Sequence, residues 1–370
     1  MDPSQSANIN DSPSEDLKPF VLKDLLESRN IDWGWINKIF KTSPGFFEEV
    51  LFRIHYKRNK TLIPEDTLRI LLFLSTGYLS TNDVRYFNEF LWFYKENDHG
   101  RDLVDGCMER FNANLNENSQ HCLPKELLQC QVDAERQNLN KVHIDDIPPL
   151  RICLIGFPPF FGTIIKQLKK EGHYVEQFFL PFHPNRHINR LMKLKLPVKL
   201  LSILKGNFYS YRTLNYDYKD KRIGQEIRAG NFDIGFHKLN FIIKENIFNS
   251  FRIGLLNDHW GYLPLLRGKS TIAYSLLLGV PVISTIHFIN QGIDSGSIVG
   301  YQPYVHGNAG SVSKIRSVLR MKMPERILAA IKLAGSSTFT TIENAQNDGQ
   351  IFYEIHPWLN THINSRILKK

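Results

Sequence analysis

The spacing of apolar residues changes along the chain and separates two differently built parts. From Phe20 to about residue 130, apolar positions recur every three to four residues, as in amphipathic helices. A helix is predicted over 45–56, with Ser43 and Pro44 as its cap and first-turn proline. A second helix is predicted from residues 81–83, with a buried stripe of Val84, Phe87, Leu91 and Tyr94. Its many aromatic residues favour core packing over a ligand platform.

Beyond residue 150, short apolar runs alternate with helical runs. A buried-strand pattern over 150–155 is followed by a helical run to Glu171 and a second strand over 173–180, which is the pattern of a parallel crossover unit. Further predicted elements are a helix over 222–229, strands over 232–236, 253–256 and 280–289, and a helix from Pro324 to Gly335. The first loop lacks Gly-x-Gly-x-x-Gly, so a dinucleotide site is not supported. We predict an α/β domain with a mostly parallel sheet, preceded by a smaller, mainly α-helical domain.

Composition sets the predicted domain boundaries. Residues 1–18 are rich in Ser, Asn, Asp and Pro, which predicts a disordered lead-in. Residues 131–149 are polar and end in two prolines, which predicts a linker. The helical domain is therefore placed at 19–130 and the α/β domain at 150–370.

Polar side chains follow two of the predicted strands. Asn257 and His259 come after the run 253–256, and Asp294 lies in a Gly-rich turn after the run 280–289. An amide, an imidazole and a carboxylate thus lie at the ends of predicted strands. Taken singly, each residue type also has an ordinary structural role, as a helix cap, a hydrogen-bonded histidine or a turn carboxylate.

Together these residues resemble the 10-formyltetrahydrofolate-dependent formyltransferases, which include glycinamide ribonucleotide, methionyl-tRNA and amino-sugar formyltransferases. The matching residues, in order, are Asn257, His259, Leu263-Pro264, Arg267-Gly268, Thr285, His287 and Asp294-Ser295-Gly296. The resemblance covers roughly residues 150–360. Trp260 departs from it, because the family commonly has proline at this position.

The resemblance implies a Rossmann-like formyltransferase domain and a role for each matched residue. Asn257 is expected to donate its amide N–H to the formyl oxygen, and His259 to donate a second hydrogen bond as an imidazolium. Asp294 is expected to stabilise that cation and to accept the proton of the attacking amine. Thr285 and His287 are expected to orient this group.

The resemblance also implies 10-formyltetrahydrofolate as co-substrate, with no metal and no covalent intermediate. The residues expected to bind it are Leu239, Asn240, Phe241, Ile289 and Gly292. Arg267 and Gly268 are assigned to the acceptor substrate, although packing at a helix end explains Arg267 equally well.

Net charge and the cysteines indicate which partners and which cellular compartment suit the protein. The 370 residues carry a net charge of +9, which suits a nucleic acid, a nucleotide-linked substrate or a polyglutamylated cofactor. A basic segment between 181 and 219 either holds phosphates or RNA or is a solvated amphipathic helix; its cations are Arg186, Arg190, Lys193, Lys195, Lys199 and Lys205. The four cysteines show no metal-ligand spacing, and neither a signal peptide nor a membrane-length apolar run is seen. A cytoplasmic enzyme is predicted, without membrane association.

The preferred acceptor is a small amine, in particular a nucleotide-linked amino sugar. The chain ends within about a dozen residues of the segment that resembles the tail of the catalytic domain. That leaves no room for the C-terminal barrel of tRNA-specific members, so a nucleic acid acceptor is disfavoured. The alternatives are a formyltetrahydrofolate hydrolase, a methionyl-tRNA formyltransferase-like protein without the barrel, and a non-catalytic RNA-binding protein. The role of residues 1–149 and the oligomeric state stay open.

Overall fold

The structure, a computed structural model, describes most of the chain. The described residues are 20–28, 30–58, 60, 62–94, 101–116, 134–135, 137–141, 147–181, 195–204, 208–214, 216, 220–239, 241–304, 310–337, 339–344 and 349–368. They form two compact units, one within Met1–Cys122 and Ile355–Leu359, the other within Leu123–Glu354 and Asn360–Lys370. The predicted lead-in 1–18 and about half of the predicted linker lie outside the described residues, and the domain boundaries stay predictions.

The first unit is helical. Its helices are α1 Leu22–Glu27, α2 Trp33–Thr42, α3 Glu48–His55, α4 Pro64–Thr81, α5 Val84–Phe93 and α6 Arg101–Asn116, with a 3₁₀ turn at Pro44–Phe47. The helix predicted over 45–56 is thus split into a 3₁₀ turn and α3. Asp83 caps α5 by accepting the backbone N–H of Arg85. Phe87 and Phe90 on α5 are fully buried, in agreement with core packing.

The second unit is built on a seven-stranded sheet. Its strands are β1 Arg151–Gly156, β2 Tyr174–Phe179, β3 Arg212–Thr213, β4 Ile234–Lys238, β5 Gly254–His259, β7 Ile283–Phe288 and β8 Ile298–Pro303. The order is β3-β2-β1-β4-β5-β7-β8, and pairing is parallel from β3 to β5 and antiparallel from β5 to β8. A short parallel pair joins β6 Leu266–Gly268 to β9 Gln350–Phe352. The predicted fold class, an α/β domain with a mostly parallel sheet, is confirmed.

The helices after residue 150 are α7 Gly162–Lys170, α8 Lys195–Leu204, α9 Arg222–Arg228, α10 Glu245–Phe248, α11 Thr271–Leu277, α12 Val312–Met321, α13 Met323–Gly335 and α14 Pro357–His362, followed by a π-helical turn at Ile363–Ile367. Of these, α7 and α13 pack on one face of the sheet, and α9 and α10 pack on the other. Because strand side chains alternate between faces, Leu256 joins the core under α7 and α13, whereas Leu255 joins the core under α9 and α10. Burial on both faces explains why these strands are continuous apolar runs in the sequence.

Strand β5 is longer than the sequence predicted. The apolar run suggested a strand that ends at Leu256, with Asn257 and His259 in the loop that follows. In the structure both residues lie inside β5, because they pair with His287 and Thr285 on the antiparallel strand β7. The polar side chains are therefore fixed by a strand ladder.

Two further predictions concern the surface. Of the basic segment, Lys195–Leu204 forms α8 with Lys199 exposed, while Arg186, Arg190, Lys193 and Lys205 lie outside the described residues. Its role stays open. No helix in the described part of the chain is long and apolar enough to span a membrane.

Candidate active site

Three neighbouring strands present a row of polar side chains on one face of the sheet. His237 on β4 pairs with Asn257 on β5, and Asn257 pairs in turn with His287 on β7. His259 and Thr285 form the next pair on the same face, two residues further along. The row stands where β4 and β5 end, which is the edge at which parallel α/β sheets bind ligands.

Asp294 reaches this row from the turn after β7. Its φ of 47° places it in the left-handed region, which turns the carboxylate back toward the sheet. Its Oδ2 lies 3.3 Å from Nδ1 of His259, and its Oδ1 lies 3.5 Å from Nε2 of His287. The same Oδ2 accepts the backbone N–H of Gly268 at 2.9 Å. The structure thus brings together the amide, the imidazole and the carboxylate that the sequence singled out.

The imidazole of His259 is held from both sides. Nε2 is 2.7 Å from the carbonyl oxygen of Leu266, which can only accept, so Nε2 carries a proton. Gly261 allows this contact, since a Cβ there would lie 2.4 Å from Nε2. Burial lowers the pKa of His259, against the opposing effect of Asp294. Nδ1 of the neutral His259 ring is therefore unprotonated and faces the carboxylate of Asp294.

The carboxylate of Asp294 is stabilised as an anion. Burial alone would raise its pKa, but the neighbouring imidazoles of His259 and His287 and the Gly268 N–H together hold the pKa well below its usual range. Asp294 is consequently ionised at neutral pH.

Asn257, His287 and Thr285 are connected around this pair. Nδ1 of His287 donates to the carbonyl oxygen of Phe288 at 2.7 Å, which leaves Nε2 to accept from the Asn257 amide at 3.2 Å. Asn257 keeps a second amide hydrogen. Thr285 instead donates to the carbonyl oxygen of Gly261 at 2.7 Å and fixes the loop beside His259. The orienting roles predicted for His287 and Thr285 stay predictions.

Arg267 lies beneath the Asp294 turn. Its side chain is only 1% exposed, and it donates to Oδ1 of Asn344 at 3.0 Å. The amide of Asn344 donates in turn to the carbonyl oxygens of Asp294 and Gly296, at 3.0 and 2.8 Å. This arrangement supports the turn that carries Asp294. A substrate contact for Arg267 and Gly268 stays a prediction, and Asn344 was missed because its irregular segment carries no motif.

A second polar network lies on the opposite face of β5. Asp258 is buried there and accepts hydrogen bonds from Arg326, Ser284 and Trp260. Burial would raise the pKa of Asp258, but Arg326 and then Lys238 hold it well below its usual range. Trp260, the departure from the family pattern, thus has a defined role: its Nε1 donates to Asp258 at 2.8 Å.

Apolar residues stand beside the polar row. Leu239, Phe241 and Ile289 are half-buried against the core that lies under α9 and α10. They are suited to contact a flat ring. A Cβ at Gly292 would lie 2.1 Å from Oγ of Ser295, so this turn needs glycine. Asn240 lies outside the described residues. Their role in binding the co-substrate stays a prediction.

The sequence analysis assigns no role to His237 on β4. The side chain is 4% exposed, and Nδ1 accepts the backbone N–H of Leu239 at 3.4 Å. The sequence gives one weak signal, a titratable residue inside the apolar run 232–243. With His237 the site contains three histidines and a carboxylate, yet no three side chains among the described residues are arranged to hold a metal ion.

Comparison with known proteins identifies relatives for part of the chain. It is 26% identical over 155 residues to the methionyl-tRNA formyltransferase of Colwellia psychrerythraea, which covers 41% of this chain and 46% of that protein. It is 28% identical over 154 residues to the methionyl-tRNA formyltransferase of Alcanivorax borkumensis, covering 41% and 45%. The chain thus spans about half the length of these relatives. No protein-family model matches it.

Solved structures include a similar chain, a sugar N-formyltransferase from Shewanella sp. FDAARGOS_354. The TM-score is 0.42 at 14% identity, over 55% of this chain and 76% of that one. The sequence relatives confirm the resemblance that the motif residues carry: over about 155 residues the chain is similar to methionyl-tRNA formyltransferases.

Proposed function

We propose that this protein transfers a formyl group from 10-formyltetrahydrofolate to a primary amine. The observation that carries the proposal is the meeting of Asn257, His259 and Asp294, which come from one strand and a turn and lie in one cluster at the carboxyl edge of the sheet. The similarity to methionyl-tRNA formyltransferases supports the same chemistry.

The proposed reaction forms one C–N bond and breaks another. The amine lone pair attacks the formyl carbon, and the carbonyl π electrons move to the oxygen, which becomes an oxyanion. When the carbonyl re-forms, the bond to N10 of the folate breaks, and the proton lost by the amine ends on N10. The protein therefore has to stabilise an oxyanion and carry one proton.

His259 and Asp294 are suited to carry that proton. Nε2 of His259 keeps its own proton on the Leu266 carbonyl, so Nδ1 is the free position, and it faces Asp294 at 3.3 Å. A proton taken up there converts a neutral ring beside a carboxylate into an imidazolium paired with it. This differs in detail from the direct donation by His259 that the sequence suggested, because the Nε2–H already has an acceptor.

Asn257 is suited to contact the formyl oxygen. One of its amide hydrogens goes to His287, which fixes the plane of the amide, and the other has no acceptor among the residues that the structure describes. A fixed amide donor needs no reorganisation when charge develops on the oxygen, and one such donor contributes about 3 kcal/mol to transition-state stabilisation.

Two acceptor classes follow from different observations. A nucleotide-linked amino sugar remains the acceptor that we propose, and the net charge of +9 suits its phosphates. The names of the sequence relatives favour a second candidate, the amino group of methionyl-tRNA. Both are primary amines on phosphate-bearing molecules, so the same site chemistry serves either.

Turnover of 10-formyltetrahydrofolate by the full chain tests the proposal. Release of tetrahydrofolate and of formate is measured with a panel of nucleotide-linked amino sugars, with methionyl-tRNA and without any amine. Asp294→Asn is expected to lower kcat at least about a hundredfold, because the carboxylate that stabilises the protonated His259 is lost. Asp220→Asn is the matched control, since Asp220 forms an exposed ion pair with Arg222, and it should leave kcat unchanged.

The outcomes separate the candidates. Amine-dependent turnover that is lost in Asp294→Asn supports transfer, and the amine that is consumed identifies the acceptor class. Formate release that ignores every amine would show a hydrolase instead. Absence of turnover under all three conditions would refute the proposed function.

A further inference from the structure

His237 has an unused hydrogen-bond donor in a buried position. Nδ1 accepts the Leu239 N–H, so in the neutral ring the proton resides on Nε2. Among the described residues Nε2 has no hydrogen-bond partner, although the side chain is only 4% exposed. A buried donor without an acceptor is costly, and folded proteins keep such groups where a ligand or water completes them.

The ring is neutral in the physiological range. Burial lowers the pKa of His237 to about 3, and Lys238 and His287 act in the same direction, against Asp294. Lys238 points to the opposite face of the sheet, where its Nζ lies 3.7 Å from Asp258. His237 thus offers an N–H donor that keeps its proton, whatever happens to the His259–Asp294 pair.

The register places this donor beside Asn257. His237 and Asn257 are direct partners across β4 and β5, on the face that also carries His259 and His287. Neighbouring strands of a sheet lie about 4.8 Å apart, so these two side chains leave the sheet next to each other. Two neutral N–H donors, one amide and one imidazole, therefore stand side by side where two strands end.

We propose that His237 Nε2–H and the free amide hydrogen of Asn257 together donate to the formyl oxygen. This inference rests on the proposed function and adds to it a catalytic residue that the family pattern does not contain. As the amine attacks the formyl carbon, the two donors bind the oxygen that gains the carbonyl electron pair, and they release it when the C–N10 bond breaks. Neither donor gives up its proton, so the proton of the amine remains with the His259–Asp294 pair.

The inference separates binding of the formyl group from binding of the folate. His237→Ala is expected to lower kcat by about a hundredfold. It should weaken the affinity for 10-formyltetrahydrofolate severalfold and leave the affinity for tetrahydrofolate, which has no formyl oxygen, unchanged. His237→Gln keeps an N–H donor of similar reach and is expected to recover at least tenfold of the lost kcat. The affinities are measured by calorimetry on the full chain.

His173→Gln is the matched control. His173 is a buried histidine of the same unit that accepts the Leu150 N–H, but it precedes β2 at the other end of the sheet. The His173→Gln variant should leave kcat and both folate affinities unchanged. Retained tetrahydrofolate binding shows that His237→Ala still folds.

The experiment distinguishes failure of the inference from failure of the function. If wild-type protein turns over and Asp294→Asn abolishes turnover while His237→Ala keeps wild-type kcat, the inference is wrong and the function stands. Equal loss of affinity for both folates in His237→Ala would also overturn it, because the ring would then support the pocket. If the wild-type protein neither transfers nor hydrolyses the formyl group, the function and the inference fail together.

Discussion

Replacing Arg326 by methionine is predicted to destabilise the α/β unit by about 3 kcal/mol. Nε and Nη2 of Arg326 donate to the two carboxylate oxygens of Asp258 at 2.8 and 2.7 Å, and both side chains are 0% exposed. Methionine fills a similar volume, so the main loss is the partner of a buried carboxylate, which costs about 3–5 kcal/mol. Ser284 and Trp260 still donate to Asp258, and Lys238 lies 3.7 Å away, so we expect the lower end of this range.

Urea unfolding and thermal unfolding, both followed by circular dichroism, measure this loss of stability. For a unit of 150–250 residues, a loss of about 3 kcal/mol corresponds to a fall in Tm of roughly 6–12 °C. Lys332→Met is the control on the same helix. Lys332 forms a half-exposed ion pair with Glu171 at 2.9 Å, and removing such a pair costs at most about 1 kcal/mol.

A double variant tests the reasoning behind that number. Asp258→Asn combined with Arg326→Met removes both charges of the pair, so no unpaired carboxylate stays buried. It should lose less than the sum of the two single variants, with a coupling of about 1–3 kcal/mol. Additive losses, or a loss below about 1 kcal/mol in Arg326→Met, would refute the view that this ion pair anchors β5.

Two further predictions concern histidines of the site. The folded-state pKa of His237 lies near 3, below its ordinary value of 6.5, so on acidification the unfolded chain binds a proton that the folded chain does not. The stability this gives is complete above pH 6.5 and is lost as the pH falls toward 3. Between pH 6 and pH 4 the unfolding free energy of wild type should therefore fall about 1.4 kcal/mol per pH unit more steeply than that of His237→Gln, and parallel slopes in urea unfolding would contradict this. Gly261→Ala should lower stability by about 1–3 kcal/mol and reduce kcat, because its Cβ would lie 2.4 Å from Nε2 of His259. Gly106→Ala, where a Cβ meets nothing within 4 Å, is the control, and equal behaviour of the two alanine variants would count against the prediction.

The sequence predicted what local patterns determine. Apolar runs and helical periodicity located most strands and helices, since each pattern depends on neighbouring residues. The spaced motif located Asn257, His259 and Asp294 in one site, because strand ends of an α/β sheet meet at one edge. The exact end of β5 was missed, because it depends on pairing with β7, almost thirty residues further on.

The supporting residues could not be predicted in the same way. Arg326 is 68 positions from Asp258, and Asn344 is 50 positions from Asp294. No local pattern connects such residues, and single polar residues in a helix or an irregular segment are usually solvated. His237 was not singled out for a related reason: its burial depends on the strands on either side of β4, which the sequence alone does not place beside it.

Side chains along β5 point alternately to the two faces of the sheet. This explains why the site depends on the Asp258 network, which lies on the other face. Asn257 and His259 point to the face that carries the candidate chemistry, and Asp258 between them points to the other face. Because the three residues are consecutive in one strand, Asp258 cannot shift without moving Asn257 and His259. The bidentate bond with Arg326 therefore fixes the height of the amide and the imidazole relative to the Asp294 turn. We therefore expect Arg326→Met to lower kcat as well as stability. The double variant with Asp258→Asn should recover part of the stability but not kcat, because the bond that fixes β5 is absent from it too.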